Sequence, residues 1–290
     1  RCSRDWSSDV CSSDLSEKLL DAADGLNFLS GKPLSGRTLY NINLSAYLMF
    51  QNAKEKGIVV THISYDPEGV AEFTVLDILM AVRKFKQVYA KTLSGDFRLD
   101  GNLAGKLGDM SVGIIGTGGI GKAVLRDLSG FGCKLYYYNH RRNDYADQFA
   151  EYVPLDDLIS RCDVISLHLE LNEDTFHIID ADAISKMKDG AIIVNTARGG
   201  LIDTEAMISA LESGKLSSAA LDVVEDEFKL YYNDCRDLDL TQFYMGKLRE
   251  MPNVMITHHI AFYYRNAVMG MIYNCLYSMK MLEEGKEIPL

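Results

Sequence analysis

Between residues 110 and 257, short apolar runs alternate with amphipathic stretches. The runs are 111–115 (SVGII), 133–138 (CKLYYY), 163–168 (DVISLH), 191–195 (AIIVN), 218–223 (SAALDV) and 253–257 (NVMIT). Several are nearly continuous in apolar residues, the pattern of strands covered on both faces. Helical patterns fall between them, over 119–130, 155–160, 180–188 and 204–213. Strands alternating with helices in this way predict an α/β fold with a parallel, doubly wound sheet.

Upstream the pattern differs. Residues 70–90 (VAEFTVLDILMAVRKFKQVYA) read as one long, largely apolar helix. Glu72, Asp77, Arg83 and Lys84 within it argue for a buried helix of a water-soluble protein, not a membrane span. Residues 16–66 read as a small, incomplete α/β segment. It has an amphipathic stretch (SEKLLDAADGLNFL), a helical one (SAYLMFQNAKEKG) that stops at Gly57, and a strand (IVVTHIS). Residues 1–15 (RCSRDWSSDVCSSDL) show neither period and resemble translated sequencing-adapter read-through. They are set aside as a non-native tail, which would leave the natural N-terminus missing.

Composition narrows the partners. The chain has 290 residues, 47% of them hydrophobic, and a formal net charge of -11. This is ordinary globular composition, with length for two domains. No basic stripe stands out, so nucleic acid is not an expected partner. No apolar run is long enough to span a bilayer, and no apolar region follows the first charges as in a signal peptide. The six cysteines are scattered, without CxxC or zinc-ligand spacing. They read as reduced thiols of a cytoplasmic protein that binds no metal.

Gly116-Thr117-Gly118-Gly119-Ile120-Gly121 falls between a predicted strand and a predicted helix. In that context the first glycine permits a tight turn and the second a close approach to a pyrophosphate. The third permits tight helix–strand packing. The helix N-terminus then offers N–H groups to the phosphates. The acid usual at the end of the next strand is replaced by Asn139, followed by His140, Arg141 and Arg142. Asn139 suits a ribose hydroxyl, while the arginines suit a 2′-phosphate. The cofactor is therefore NAD or NADP.

Three polar residues lie just past three successive predicted strands: Arg198, Glu227 and His259. That edge of an open α/β sheet is where ligands bind. Arginine grips a carboxylate with a two-pronged fork. Histidine exchanges a proton with a carbonyl or alcohol oxygen, and a carboxylate against it fixes its tautomer. Each also has a plainer explanation. Arg198 suits a surface, Glu227 belongs to the acidic run Glu225-Asp226-Glu227, and His259 sits beside His258. Their common position beside a nucleotide loop favours a shared role.

With these motifs the chain resembles the D-isomer-specific 2-hydroxyacid dehydrogenases over about 58–276. SVGIIGTGGIGKAV is similar to the family's nucleotide loop and NTARGGLID (195–203) to its arginine motif. ALDVVEDE (220–227) is similar to its acidic motif, and Thr257-His258-His259 to its histidine motif. The likeness is nearest to the D-lactate dehydrogenase subgroup, including those of vancomycin-resistance operons. It implies a Rossmann-like sheet beside a smaller, flavodoxin-like substrate domain. It also implies reduction of a small 2-keto acid, pyruvate foremost, in a homodimer joined through the cofactor domain, with helix 70–90 as a contact. Arg198 would bind and polarise the substrate, Glu227 would partner the acid/base His259, and Asp222 would hold the nicotinamide carboxamide. Thr196 joins Asp222, Asn139, Arg141 and the loop residues Gly116, Gly118, Gly119, Ile120 and Gly121 as cofactor candidates. Two departures stand out. His258 occupies a position where most members have Pro, and 37–42 (RTLYNI) lacks the glycine of the family's carboxylate-binding loop.

The expected domains are 67–261 for the cofactor and 16–66 with 262–290 for the substrate. Two other functions remain open at this point: a dinucleotide-sensing corepressor on the same fold, and an inactive fragment.

Overall fold

A computed structural model of the chain describes residues 66–227 and 230–286. The expectations for 1–65, including those for the 37–42 loop, lie outside the described residues. The chain divides into two compact units, 67–262 and a second one made of 1–66 with 263–290.

The larger unit is built on seven parallel strands: β1 (Ser111–Ile115), β2 (Lys134–Tyr138), β3 (Glu151–Tyr152), β4 (Val164–Leu167), β5 (Ala191–Asn195), β6 (Leu216–Leu221) and β7 (Val254–Ile256). Their order is β3-β2-β1-β4-β5-β6-β7. The sheet is Rossmann-like, and the chain reverses its winding direction between β1 and β4. At such a switch point the strand ends splay apart and leave a crevice for a ligand. The glycine loop follows β1 and therefore opens there.

Side-chain alternation explains why both faces are covered. Val112, Ile114, Leu135, Tyr137, Val164, Ile192, Val194 and Ala220 feed one buried cluster. Ile115, Ile165, Leu167, Ile193, Ala219 and Leu221 feed the other. Helices α1 (Glu68–Val82) and α3 (Gly119–Ser129) pack on the first face. Helices α4 (Leu155–Arg161), α5 (Ala181–Lys186), α6 (Thr204–Ser213) and α7 (Tyr244–Glu250) pack on the second. Caps mark their ends as the residue types require. Asp180 Oδ1 accepts the Ala183 N–H and Asp203 Oδ1 that of Ala206, while Gly214 closes α6 in the left-handed region at φ 82°.

Three expectations need correction. The single helix over 70–90 is two, α1 and α2 (Phe85–Leu93), broken where Lys84 turns left-handed at φ 50°. The physical reason is burial. Val70, Ala71, Thr74, Asp77, Ile78, Ala81 and Val82 give α1 an inner face, whereas no residue of α2 is buried. Lys86 instead pins α2 by donating to the carbonyls of Arg249, Met251 and Val254, at 2.6, 2.7 and 2.9 Å. The strand expected over 218–223 runs two residues earlier, because Gly214 ends α6 and lets pairing begin at Leu216. The helix expected over 180–188 spans only Ala181–Lys186. Three elements went unpredicted: β3, α7, and in the smaller unit α8 (Arg265–Glu283). No helix among the described residues is long and apolar enough to cross a membrane.

Candidate active site

The glycine loop divides its labour by position. Gly116 sits at φ 98°, and a Cβ there would lie 2.5 Å from the His168 carbonyl oxygen. A Cβ on Gly121 would lie 2.0 Å from the Gly116 carbonyl oxygen. These two glycines therefore serve packing. Gly118 differs: a Cβ there would meet nothing within 4 Å, so its missing side chain leaves open space over the start of α3. The first N–H groups of a helix lack intrahelical partners, and Gly118 has no side chain to cap them. Beside it, the buried Thr117 Oγ1 has no hydrogen-bond partner among the described residues. An uncapped helix start, an open glycine and an orphaned hydroxyl fit a dinucleotide pyrophosphate.

At the end of β2, Asn139 is half-buried and Arg141 is exposed. Arg142 is engaged elsewhere. Its Nε donates to Asp147 Oδ2 at 2.7 Å, while Asp147 Oδ1 accepts from the Tyr137 hydroxyl at 2.7 Å. These two donors hold the Asp147 carboxyl below the usual carboxylate range. Asn143, which carried no role in the sequence, ties this loop to the glycine loop through Nδ2 and the Thr117 carbonyl, at 3.4 Å.

The other half of the site is a chain of backbone bonds continuing past β5, β6 and β7. Asp222 N–H donates to the Asn195 carbonyl at 2.9 Å, and His259 N–H donates to the Asp222 carbonyl at 2.7 Å. Asn195 then shapes the arginine turn. Its Oδ1 accepts the Ala197 N–H at 3.0 Å and its Nδ2 donates to the Arg198 carbonyl at 2.8 Å. Arg198 itself is exposed. Gly199 lets this turn abut the backbone of Val224, where a Cβ would meet the carbonyl carbon at 2.2 Å. Thr196 faces inward, hydroxyl to hydroxyl with Thr74 at 2.8 Å. Thr74 gives its own proton to the Val70 carbonyl, so Thr196 is the donor in that pair.

The Asp222 carboxylate is 0% exposed and organises the histidine turn. Its Oδ1 accepts from the Thr257 hydroxyl at 2.5 Å and the Ile260 N–H at 2.9 Å, and its Oδ2 accepts the Ala261 N–H at 2.9 Å. Beneath it, sequence reading missed Asp77. That side chain is buried on α1, and its Oδ2 has no partner among the described residues. Burial, aided by the charge of Asp222, pushes the Asp77 carboxyl up to about 8. A charged residue inside an apolar helical run was the available signal.

Of the three proposed chemical residues, two are in direct contact. His259 Nδ1 lies 2.9 Å from Glu227 Oε1, and Glu227 Oε2 accepts the Val224 N–H at 2.9 Å. A carboxylate only accepts, so Nδ1 carries the proton and Nε2 is left for exchange with a ligand. His259 adopts φ 59°, in the left-handed region. The rings of Tyr231 and Phe262 meet the imidazole edge-on, at 6.3 and 5.9 Å between centroids. Glu225, next but one to Glu227, is spoken for by His177 Nε2 at 2.8 Å and the Thr204 N–H at 3.1 Å. The acidic run thus sends its two glutamates to different tasks.

A parallel sheet with a nucleotide loop at its switch point and a carboxylate-backed histidine at the same edge defines a dinucleotide-dependent oxidoreductase. Comparison with known proteins makes that specific. Residues 75–261 match the family model described as the NAD-binding domain of D-isomer-specific 2-hydroxyacid dehydrogenases. The chain is 45% identical to the D-specific alpha-keto acid dehydrogenase of Enterococcus faecium over 228 residues, 77% of this chain and 70% of that protein. Its structure is similar to that of a D-lactate dehydrogenase from Treponema pallidum, with a TM-score of 0.77 and 34% identity, covering 81% of this chain and 72% of the other. It is similar to the same degree to the Aquifex aeolicus D-lactate dehydrogenase complexed with NAD and lactic acid. There the TM-score is 0.75 and the identity 36%, again over 81% and 72% of the two chains. The chain belongs to the D-isomer-specific 2-hydroxyacid dehydrogenase family, NAD-dependent oxidoreductases that act on a CH–OH group.

Proposed function

We propose that this chain interconverts a small 2-keto acid and its D-2-hydroxy acid, with pyruvate and D-lactate as the favoured pair. The observation that carries the reading is the Glu227–His259 contact of 2.9 Å, set on the same sheet edge as the open glycine loop. When bound, the reduced nicotinamide supplies the hydride. Protein groups supply the rest. His259 Nε2 gives a proton to the carbonyl oxygen, and Glu227 stabilises the imidazolium before that transfer. Arg198 grips the substrate carboxylate and polarises the adjacent carbonyl. Gly118, Gly119, Ile120 and the start of α3 hold the pyrophosphate, with Gly116 and Gly121 shaping the turn. Thr196 and Asp222 belong to the nicotinamide side.

Asn139 and the exposed Arg141 support use of NADP alongside NAD, whereas Arg142 is committed to Asp147. Residues 16–66 with 263–290, the first fifteen residues set aside, are assigned to substrate binding. Free Cys133, Cys162 and Cys235 suit the cytoplasm. Homodimerisation is supported by an apolar row on α2. Phe85 and Tyr89 stack there at 5.8 Å, and Leu93, Phe97, Leu99 and Leu103 beyond them are all strongly exposed.

Oxidation of NADH and NADPH with pyruvate, followed by chiral assay of the lactate, tests this reading. Turnover to D-lactate that falls at least about a thousandfold in His259→Ala and in Arg198→Ala is the expected result. Failure of the full chain on pyruvate and on larger 2-keto acids would overturn it.

A further inference from the structure

The histidine turn is gripped from a direction the reaction itself does not require. Tyr231 donates its hydroxyl to the Thr257 carbonyl at 3.1 Å. Its neighbour Tyr232 donates to the His259 carbonyl at 2.9 Å. Two adjacent side chains therefore hold two carbonyls of one short turn. Asp222 binds N–H groups and the Thr257 hydroxyl, so donors and acceptors of the same turn are clamped separately.

Burial does not force this arrangement on Tyr232. It is 43% exposed, so water at the surface would satisfy its hydroxyl without any bond to the turn. Yet its backbone sits at φ 66°, in the left-handed region that a tyrosine rarely adopts. Adjacent residues point to opposite sides in an extended chain. The left-handed turn at Tyr232 brings both hydroxyls to one target instead. The Tyr231 ring also lies near-perpendicular to the imidazole, 6.3 Å away between centroids. Strain retained at two residues in contact marks a geometry that the surroundings impose.

We infer that Tyr231 and Tyr232 are positioning residues that hold the His259 imidazole against Glu227 with Nε2 directed to the substrate. They touch neither substrate nor cofactor in this scheme and act through the carbonyls of Thr257 and His259. The inference rests on reading His259 as the proton donor. Removing a hydroxyl leaves the fold and cofactor loop in place but frees the turn to leave its left-handed conformation. A small displacement of a proton donor is costly to rate.

The test compares Tyr231→Phe, Tyr232→Phe and the double variant with the wild-type chain. Each single variant is expected to lower kcat for 2-keto acid reduction roughly tenfold. The KM for NADH is expected to stay unchanged in both, and the melting temperature to stay unchanged in Tyr232→Phe. The low-field proton resonance of the imidazole N–H bonded to Glu227, identified by its loss in His259→Ala, should shift or broaden in both. An unchanged kcat and an unchanged resonance would overturn the inference, as would a fall in kcat that only tracks a lowered melting temperature. If the wild-type chain turns over no 2-keto acid, the functional reading fails, and the resonance alone still decides whether the tyrosines hold the imidazole. Because Tyr231 is buried and its loss endangers folding more, Tyr232→Phe is the deciding variant.

Discussion

The two turns at the C-terminal edge of this sheet solve opposite problems. The glycine turn after β1 works by omission: Gly118 leaves space, α3 leaves N–H groups without a side-chain cap, and Thr117 has a hydroxyl unpaired among the described residues. The histidine turn after β7 works by saturation. Asp222, Glu227, Tyr231 and Tyr232 all bind it, and the histidine at its centre is held in a left-handed conformation. A phosphate is large, fully charged and satisfied by backbone N–H groups, so its site needs vacancy. A proton must move along one line between two atoms, so its donor needs restraint.

Changes to each side sharpen that contrast, beginning with the largest effect. Asp77 lies under the saturated side, and its carboxyl is pushed up to about 8. Between the unfolded value of about 4 and that folded value, the native chain holds a proton that the unfolded chain releases. Stability therefore falls as pH rises through that window, by an amount on the order of 6 kcal/mol. Asp77→Asn should flatten the dependence and be the more stable protein at pH 8, which denaturant midpoints across pH 4–9 would show. Equal slopes for both proteins would place the burden elsewhere.

Glu227→Gln removes a charge from the saturated turn but keeps its shape. The loss in kcat should be about a hundredfold, near 2.7 kcal/mol, with the dissociation constant of NADH unaltered. Steady-state kinetics combined with cofactor fluorescence separates the two quantities.

Gly121→Ala probes the packed part of the vacant turn. Its Cβ would meet the Gly116 carbonyl oxygen at 2.0 Å, so a cost of roughly 2 kcal/mol in folding stability is expected. Gly118→Ala probes the open part. Nothing lies within 4 Å of its Cβ and its φ of -68° suits alanine, so the melting temperature should hold. Cofactor affinity should instead fall about tenfold, or 1.4 kcal/mol. Calorimetry on the two variants would reveal whether the glycines divide as described. A lowered melting temperature in Gly118→Ala would contradict the division.

Much of this was readable in the chain. β1, β5 and α6 fall where the pattern of apolar residues places them, because each is a continuous run bounded by a glycine, a cap or a change of period. The glycine spacing and the Glu227–His259 pairing were readable for a similar reason, since they depend on residue type at the ends of strong strands. What escaped lacked a local signal. β3 has two residues, too few for any period. The break at Lys84 follows from where the sheet stops offering a surface to bury, a property of the assembled unit. Tyr231 and Tyr232 look like any aromatic pair until the chain returns to them from 257–259, across a separation that no local window contains. Asp77 was visible as a charge in an apolar run, but its burial depends on α1 lying over the sheet.

The backbone bonds from Asp222 to Asn195 and from His259 to Asp222 carry one more consequence. The three segments bearing the polar side chains are registered to one another by main-chain atoms, which every residue type except proline provides in full. The frame is therefore indifferent to what it displays. Substitution at Arg198 would change the chemistry on offer without dismantling the scaffold that presents it. A lineage, or a designer, starting from this chain can exchange reactivity at that edge while inheriting the alignment intact.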